Sequence, residues 1–301
     1  MIVYLDQNKW IELAKMVNGK DNSIRAKNVV RDLEAAVESG HVVIPLSAIH
    51  YMETARVKSA SLRSKLGAVM WHYSKGYTIA AYPLVVRHEL EVALSKHFPE
   101  VHPKPLQFLG RGSSHAFGIS APTGLLSLIE EEVERSMLVG NKKLNMEPPF
   151  FQSRKYQENF KSHLVSLHTR KKELEKEKWE NWLYAILTVD IAKPLHEVSL
   201  QFSLPEDLFD RLGEQGMKSV INDMPTRHLD LHLHKQILRN PNYAAKITDL
   251  EDWTGVGVAS CYCDVVVCEK HMADMLRRDG FKTKGRIETD LEKIFVILGG
   301  T

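Results

Sequence analysis

Near the start of the chain, short apolar runs alternate with stretches whose apolar residues recur at helical spacing. Ile2-Val-Tyr-Leu5 stops abruptly at Asp6, and Trp10, Ile11, Leu13, Ala14 and Val17 follow with the period of an amphipathic helix. Ser23 to Glu38 sets Ile24, Val29, Val30, Leu33, Ala36 and Val37 in a helical pattern that Gly40 ends. Val42-Val43-Ile44-Pro45 predicts a second strand. Ser47 then offers an N-cap to a helix carrying Ile49, Tyr51, Met52 and Glu53. A further helix is predicted over Leu62 to Tyr73, and a third strand over Tyr77 to Ala81. Such alternation predicts a parallel sheet with helices on both faces.

From 84 to 245 the pattern changes. Connectors rich in proline and glycine (Phe98 to Pro105, Gly110 to Pro122, Asn145 to Phe151) separate long helical stretches, and no strand is predicted there. Ser153 to Thr188 predicts one or two long helices, and Pro205 and Pro225 precede two more. The α/β pattern then returns. Thr248, with Glu251 three residues on, reads as a capping box for a helix through Val256, Val258, Ala259 and Tyr262. Val265-Val266-Val267-Cys268 reads as a buried strand, residues 270–278 as a helix and Ile294 to Leu298 as a final strand. Residues 1–83 and 246–301 are therefore expected to complete one α/β core, with 84–245 a helical insertion or cap.

Charge changes this picture little. A formal net charge of +2 does not announce a nucleic-acid binder, although an acidic site would mask basic patches in the sum. No apolar stretch approaches the roughly 20 residues that span a bilayer, and Met1 leads into a strand rather than a cationic leader. Three cysteines, an odd number, fit a reducing compartment without structural disulfides. The expectation is a soluble cytoplasmic protein with no membrane partner.

The candidate chemistry is acidic. Asp6 follows the first strand, Glu53 sits in the helix after the second, Asp249 and Asp252 open a late helix, and Asp264 precedes the next strand. Ligand chemistry in open α/β sheets lies outside the carboxyl ends of the strands. Carboxylates brought together there suit a hard divalent cation, because like charges in close array ionise cheaply only with a cation between them. A bound ion can activate water for phosphodiester hydrolysis, and a second can stabilise the leaving oxygen. Each acid also has a plain reading as a cap or turn residue, most of all Asp249 and Asp264. Asn8 can orient Asp6 or a water, or can cap the first helix.

Taken in order, these residues resemble the PIN-like (PilT N-terminal) nuclease family. Leu5-Asp6-Gln7-Asn8 is similar to its strand-end Leu-Asp-x-Asn pattern, and Ile44-Pro45-Leu46-Ser47 through Glu53 to its second acidic motif. Asp252 to Ala259 is similar to its late acidic helix start. Asp249, Asp252, Tyr262, Cys263 and Asp264 are similar to a divergent form with two helix-start acids and a Tyr-Cys-Asp before the strand. The resemblance covers about residues 1–83 and 246–301. Cys268 stands where a hydroxyl is common in the family, and Glu269-Lys270 displace the usual terminal acid, which leaves open whether Glu269 closes the site. The resemblance implies a PIN-like central parallel sheet and a Mg2+- or Mn2+-dependent nuclease with one or two ions. Asp6, Glu53, Asp252 and Asp264 would be catalytic, Asp249 a further ligand, and Asn8 and Glu269 auxiliary. It implies RNA ahead of DNA as substrate and a toxin or antiviral-defence role. An inhibitor or antitoxin protein and a second copy of the chain are the protein partners such a role involves.

Rival readings carry less. Asp6 with Asn8 is also similar to the first motif of haloacid-dehalogenase-like phosphatases, but Asn8 cannot protonate a leaving group. Cys261, Cys263, Cys268 and His271 are poorly placed for one tetrahedral zinc ion. His228 and His232, with His234 nearby, are expected on a solvated or substrate-facing helix. Arg154 to Lys178 holds eight Lys or Arg against four Glu, interleaved with aromatics. Lys155, Arg170, Lys171 and Lys172 are its candidate nucleic-acid contacts. The alternatives to an RNA nuclease are a non-catalytic RNA-binding or scaffold protein and a DNase.

Overall fold

A computed structural model describes residues 1–120, 129–140, 154–175, 178–240 and 242–299. In chain order, β1 (Val3–Leu5), α1 (Gln7–Val17), α2 (Ile24–Glu38), α3 (Ala48–Ala55), α4 (Ala60–Ser74) and β2 (Tyr77–Ile79) come first. They are followed by α5 (Tyr82–Ser95), β3 (Leu109–Arg111), α6 (Gly112–Phe117), α7 (Glu130–Val139) and α8 (Arg154–Lys171). Next are α9 (Trp179–Asp190), α10 (Ala192–Gln201), α11 (Leu208–Asp223) and α12 (Pro225–Arg239). The last are α13 (Asp249–Tyr262), β4 (Val265–Val267), α14 (Lys270–Arg277), β5 (Arg286–Glu288) and α15 (Lys293–Leu298). The fold is a mostly helical α/β arrangement with a three-stranded parallel sheet and a two-stranded antiparallel one. No helix among the described residues is long and apolar enough to cross a membrane.

Two compact units emerge: Met1–Ala81 with Gln107–Phe151 and Thr254–Thr301, and Tyr82–Leu106 with Gln152–Trp253. The helical insertion expected over 84–245 is thus smaller than its sequence limits. The segment 107–151 belongs to the first unit, because β3, which the apolar pattern did not predict, pairs antiparallel with β2 (Tyr77 opposite Arg111). The connector expected over 145–151 lies outside the described residues.

In the first unit the parallel sheet runs β1-β4-β5, with Val3 opposite Val265 and Val265 opposite Arg286. Strands β1 and β4 are buried throughout, which is why each reads as a continuous apolar run. On the other side of β1 the strand expected at 42–45 appears only as bridges, Ile2 to Val43 and Leu46 to Thr78. Pro45 lies between them and has no N–H for the ladder. The lateral order is therefore β5, β4, β1, the 43–46 stretch, β2, β3. Strands β1 and β4 run parallel, but the chain leaves them towards opposite sides of the sheet, and at such a switch point a crevice opens at the carboxyl ends. Trp10 and Leu13 of α1, Leu33 of α2, Met52 of α3 and Met70 of α4 fill the core around Val3, Leu5 and Val267.

The expected last strand, Ile294 to Leu298, is instead α15. Leu291 and Ile294, three apart, are buried while Val296, which would share a strand face with Ile294, is 62% exposed, as a short helix requires. The sheet ends with β5, held by bonds from Arg286 N to Asp264 O and from Cys268 N to Glu288 O.

In the second unit α12 is buried nearly all round despite its polar sequence. Glu89 of α5 accepts from Thr226 N (3.1 Å) and Thr226 Oγ1 (2.5 Å), satisfying orphan groups at the start of α12. Arg227 pairs with Asp230 one turn on. The expectation of a solvated helix face fails for His232 and His234, which are buried; His228 is exposed. Burial here follows from partners that hydropathy does not register.

Close approach of α4 and α7 depends on Gly67. A Cβ there would lie 2.6 to 2.8 Å from backbone atoms of Leu138 and Val139. Alanine ordinarily stabilises a helix interior relative to glycine, so the sign of the effect is diagnostic. Gly67→Ala is expected to destabilise by about 1–3 kcal/mol through overpacking. Urea denaturation showing an unchanged or raised midpoint would remove this contact from the account.

Candidate active site

Asp6 is placed by two constraints. Its backbone N–H donates to Val267 O at 2.9 Å, joining the end of β1 to the end of β4. Its side chain then caps α1, Oδ1 accepting from Gln7 N at 2.8 Å. The N-cap is thus Asp6 and not Asn8, which lies inside the first turn. Asn8 Nδ2 instead donates to Glu269 Oε1 at 2.6 Å. Glu269 follows β4 as Asp6 follows β1, and it holds the N-cap position of α14 without capping it through its side chain. Two acids therefore stand at adjacent strand ends, each at a helix N-terminus that favours negative charge.

Asp6 is only 9% exposed. Burial pushes its carboxyl up to about 6, and the Glu269 charge adds to the rise. Backbone N–H groups of Gln7 and Glu269, and the Lys9 ammonium, oppose it. Glu53 of α3 is half-buried. The Tyr4 phenol is held well above its ordinary value by burial, and the charges of Asp6 and Glu53 add to that effect.

A buried hydrogen-bond chain fixes Asp6 relative to α3. Ser47 N donates to His50 Nδ1 at 2.9 Å, so Nε2 carries the proton and donates to Leu5 O at 2.8 Å. Tyr4 Oη and Ser47 Oγ lie 3.0 Å apart, tying the strand to the same turn. Burial lowers the His50 ring to about 3, so it stays neutral in this role. Its partner, Leu5 O, belongs to the residue just before Asp6, and Glu53 lies three residues after His50. No sequence motif pointed to His50; a histidine three residues after an N-cap serine was the available signal.

Asp264 is not part of this set. It precedes β4, at the amino end of the sheet, where Oδ2 accepts from Ile2 N at 2.7 Å and Lys284 lies 3.8 Å away. In a parallel sheet that edge is about 10 Å of strand from the carboxyl end. Glu269 lies beyond the other end of β4, at the edge that carries Asp6. Asp249 and Asp252 open α13 and belong to the second unit. Asp249 Oδ2 accepts from Tyr243 Oη (2.9 Å) and Lys246 N (2.8 Å), the work of a turn-capping residue. Both acids raise the Tyr243 phenol, after burial. Lys155, Arg170 and Lys172 are exposed. Lys171 is engaged structurally: Nζ donates to Leu238 O and sits 4.6 Å from the centre of the Trp179 ring.

Among the described residues, no group of three or more His, Cys, Asp or Glu side chains is arranged to hold a metal ion. Asp6 and Glu269 offer carboxylate oxygens alone, two carboxylates at most, with the Asn8 amide nitrogen donating to Glu269. Mg2+ is commonly held by one or two carboxylates with water and substrate phosphate completing its shell, so this set fits a hard divalent ion and not a thiophilic one. No protein-family model, curated protein or solved structure matches the chain.

The buried acid and the buried imidazole leave opposite pH signatures. Asp6 releases its proton near 3.8 when unfolded and about 6 when folded. Between these values the native state binds more protons, so its stability falls as pH rises through that window. Asn caps a helix as well as Asp does. In EDTA, Asp6→Asn is therefore expected to stabilise the neutral-pH protein by about 3 kcal/mol. The gain should vanish below pH 4; melts that show no pH-dependent gain contradict the burial of this charge. His50 behaves oppositely: its contribution is complete above the unfolded value of 6.5 and is lost as pH falls towards about 3. His50→Ala strands the Leu5 carbonyl and the Ser47 amide, an expected loss of about 2–4 kcal/mol in urea melts. A loss under 0.5 kcal/mol, roughly that of a neutral surface change, refutes the bracing role.

Proposed function

We propose that the chain is a metal-dependent nuclease of the PIN-like type, hydrolysing phosphodiester bonds in RNA. One observation carries the reading: Asp6 and Glu269 stand side by side at the switch point of the parallel sheet, where Asp6 is buried against its own electrostatic interest. Structural carboxylates are rarely kept in so costly a position, and perturbed acids in a cleft mark functional sites.

In this proposal Asp6 and Glu269 hold the ion, and Glu53 supplies further negative charge from α3. A bound Mg2+ or Mn2+ would lower the pKa of an attacking water and offset charge on the phosphate. Asn8 orients Glu269 through its amide, and His50 holds the Asp6 backbone in place. Asp6 remains ionised only above about pH 6 in the bare protein, so ion binding competes with a proton there. Asp252 and the preference for RNA over DNA rest on the sequence resemblance, as do a toxin or defence role and an inhibitor partner. A second reading, an RNA-binding protein without catalysis, draws on the small number of acids gathered at the sheet edge.

Cleavage of labelled single-stranded RNA and DNA with Mg2+, Mn2+ or EDTA tests the proposal. Asp6→Asn and Glu269→Gln are each expected to lower the metal-dependent rate by about 100-fold or more, while Asp264→Asn keeps near-full activity. Cutting that persists in EDTA or in Asp6→Asn rules out the carboxylate mechanism. Binding of RNA without cleavage under any metal favours the second reading.

A further inference from the structure

The second unit contains a cleft of about 650 Å3 between α8 and α9, distinct from the acids of the first unit. Its size lies within the roughly 300–1,000 Å3 of small-molecule sites. On α8, Tyr156, Phe160, His163 and Arg170 recur at helical spacing along one wall; on α9, Trp182, Ile186 and Val189 do the same opposite. The floor is rigid. Phe160 and His234 each meet Trp253 edge-on, at 5.3 and 5.0 Å between centroids, and His163 meets His234 at 5.4 Å. The mouth exposes aromatic and apolar surface, Tyr156 at 64% and Val189 at 73%.

The polar chemistry of the cleft is specified by the two histidines. His234 Nδ1 lies 2.7 Å from Asp230 O, a carbonyl that can only accept, so Nδ1 carries the His234 proton. His234 Nε2 is then a lone pair, and His163 Nε2, 3.1 Å away, must donate to it. Of the four ring nitrogens, His163 Nδ1 is then the one whose lone pair is not taken up in the pair. Burial keeps both rings neutral, aided at His163 by the nearby Arg170 charge. The cleft thus combines flat aromatic walls, an imidazole acceptor, the Asn159 amide and Asp190 carboxylate, and a cationic guanidinium at its mouth.

We infer that this cleft binds an unpaired nucleobase of a single-stranded nucleic acid, with the adjoining phosphate on Arg170. Stacking uses the π-faces of Tyr156 and Trp182, which tolerate any base, and Arg170 supplies the backbone charge. A purely apolar occupant, such as a peptide side chain, would leave His163, Asn159, Asp190 and Arg170 unused. The inference rests on the nuclease reading only in taking RNA as the strand.

The test is fluorescence anisotropy of a labelled single-stranded oligoribonucleotide with the full-length Asp6→Asn protein in EDTA. Tyr156→Ala and Arg170→Ala are each expected to weaken binding roughly tenfold, since both residues are exposed and the fold does not depend on them. A perfectly paired duplex of the same sequence should bind more weakly than the single strand. Absence of single-strand binding, affinity in both variants unchanged from the parent protein, or tighter binding of the duplex overturns the inference. If Asp6→Asn still cuts RNA when Mg2+ is added, the role given to Asp6 fails while the binding comparison stands.

Discussion

Parallel pairing of β1 with β4 is the constraint on which the first unit depends. Val3 to Leu5 lie against Val265 to Val267, so strands separated by 262 positions share a ladder. Parallel strands cannot be joined by a tight turn, and the chain must travel through most of its length before the pair can close. The pairing then decides everything at the carboxyl edge. It brings the residue after β1 and the residues after β4 together, with Asp6 N bonded to Val267 O, and it sends the residue before β4 to the opposite edge. A one-residue slip would exchange the two faces of the shifted strand and part Asp6 N from Val267 O.

Around that pair, polar groups are arranged so that each has a reason to be buried. His50 is nearly inaccessible, yet both ring nitrogens are used, one by Ser47 N and one by Leu5 O. Asp6 is different: its hydrogen bonds do not cancel the loss of water and the neighbouring Glu269 charge. The same small region therefore contains a satisfied buried polar residue and a poorly solvated acid. A bound cation is the simplest agent that removes the penalty on Asp6.

The helical unit applies the same rule on a larger scale. Helix α12 contains arginine, aspartate and histidines, and it is central because Glu89 caps it, Arg227 pairs with Asp230, and His234 bonds within its own turn and to His163. The Thr226 amide, the Arg227–Asp230 pair and the His234 ring are each matched by another helix or the next turn. The aromatic cluster around Trp253 is the rigid consequence of this burial, and the α8–α9 cleft opens against it.

Much of the first unit was legible along the chain, because periodicity alone separates its buried strands from its amphipathic helices. The apolar runs at β1 and β4, the helices from α1 to α4, and the strand-end position of Asp6 all follow from local pattern. What local pattern could not decide was partnership. Strand β3 has only three residues and a glycine at its centre, and it is a strand because β2 lies beside it. Residues 294–298 have strand composition, but β5 already closes the sheet and they fold as a helix. Asp264 and Glu269 are equally acidic neighbours of one strand in the sequence. Only strand direction, a property of the pairing and not of either residue, sends one to the edge that carries Asp6 and the other away from it.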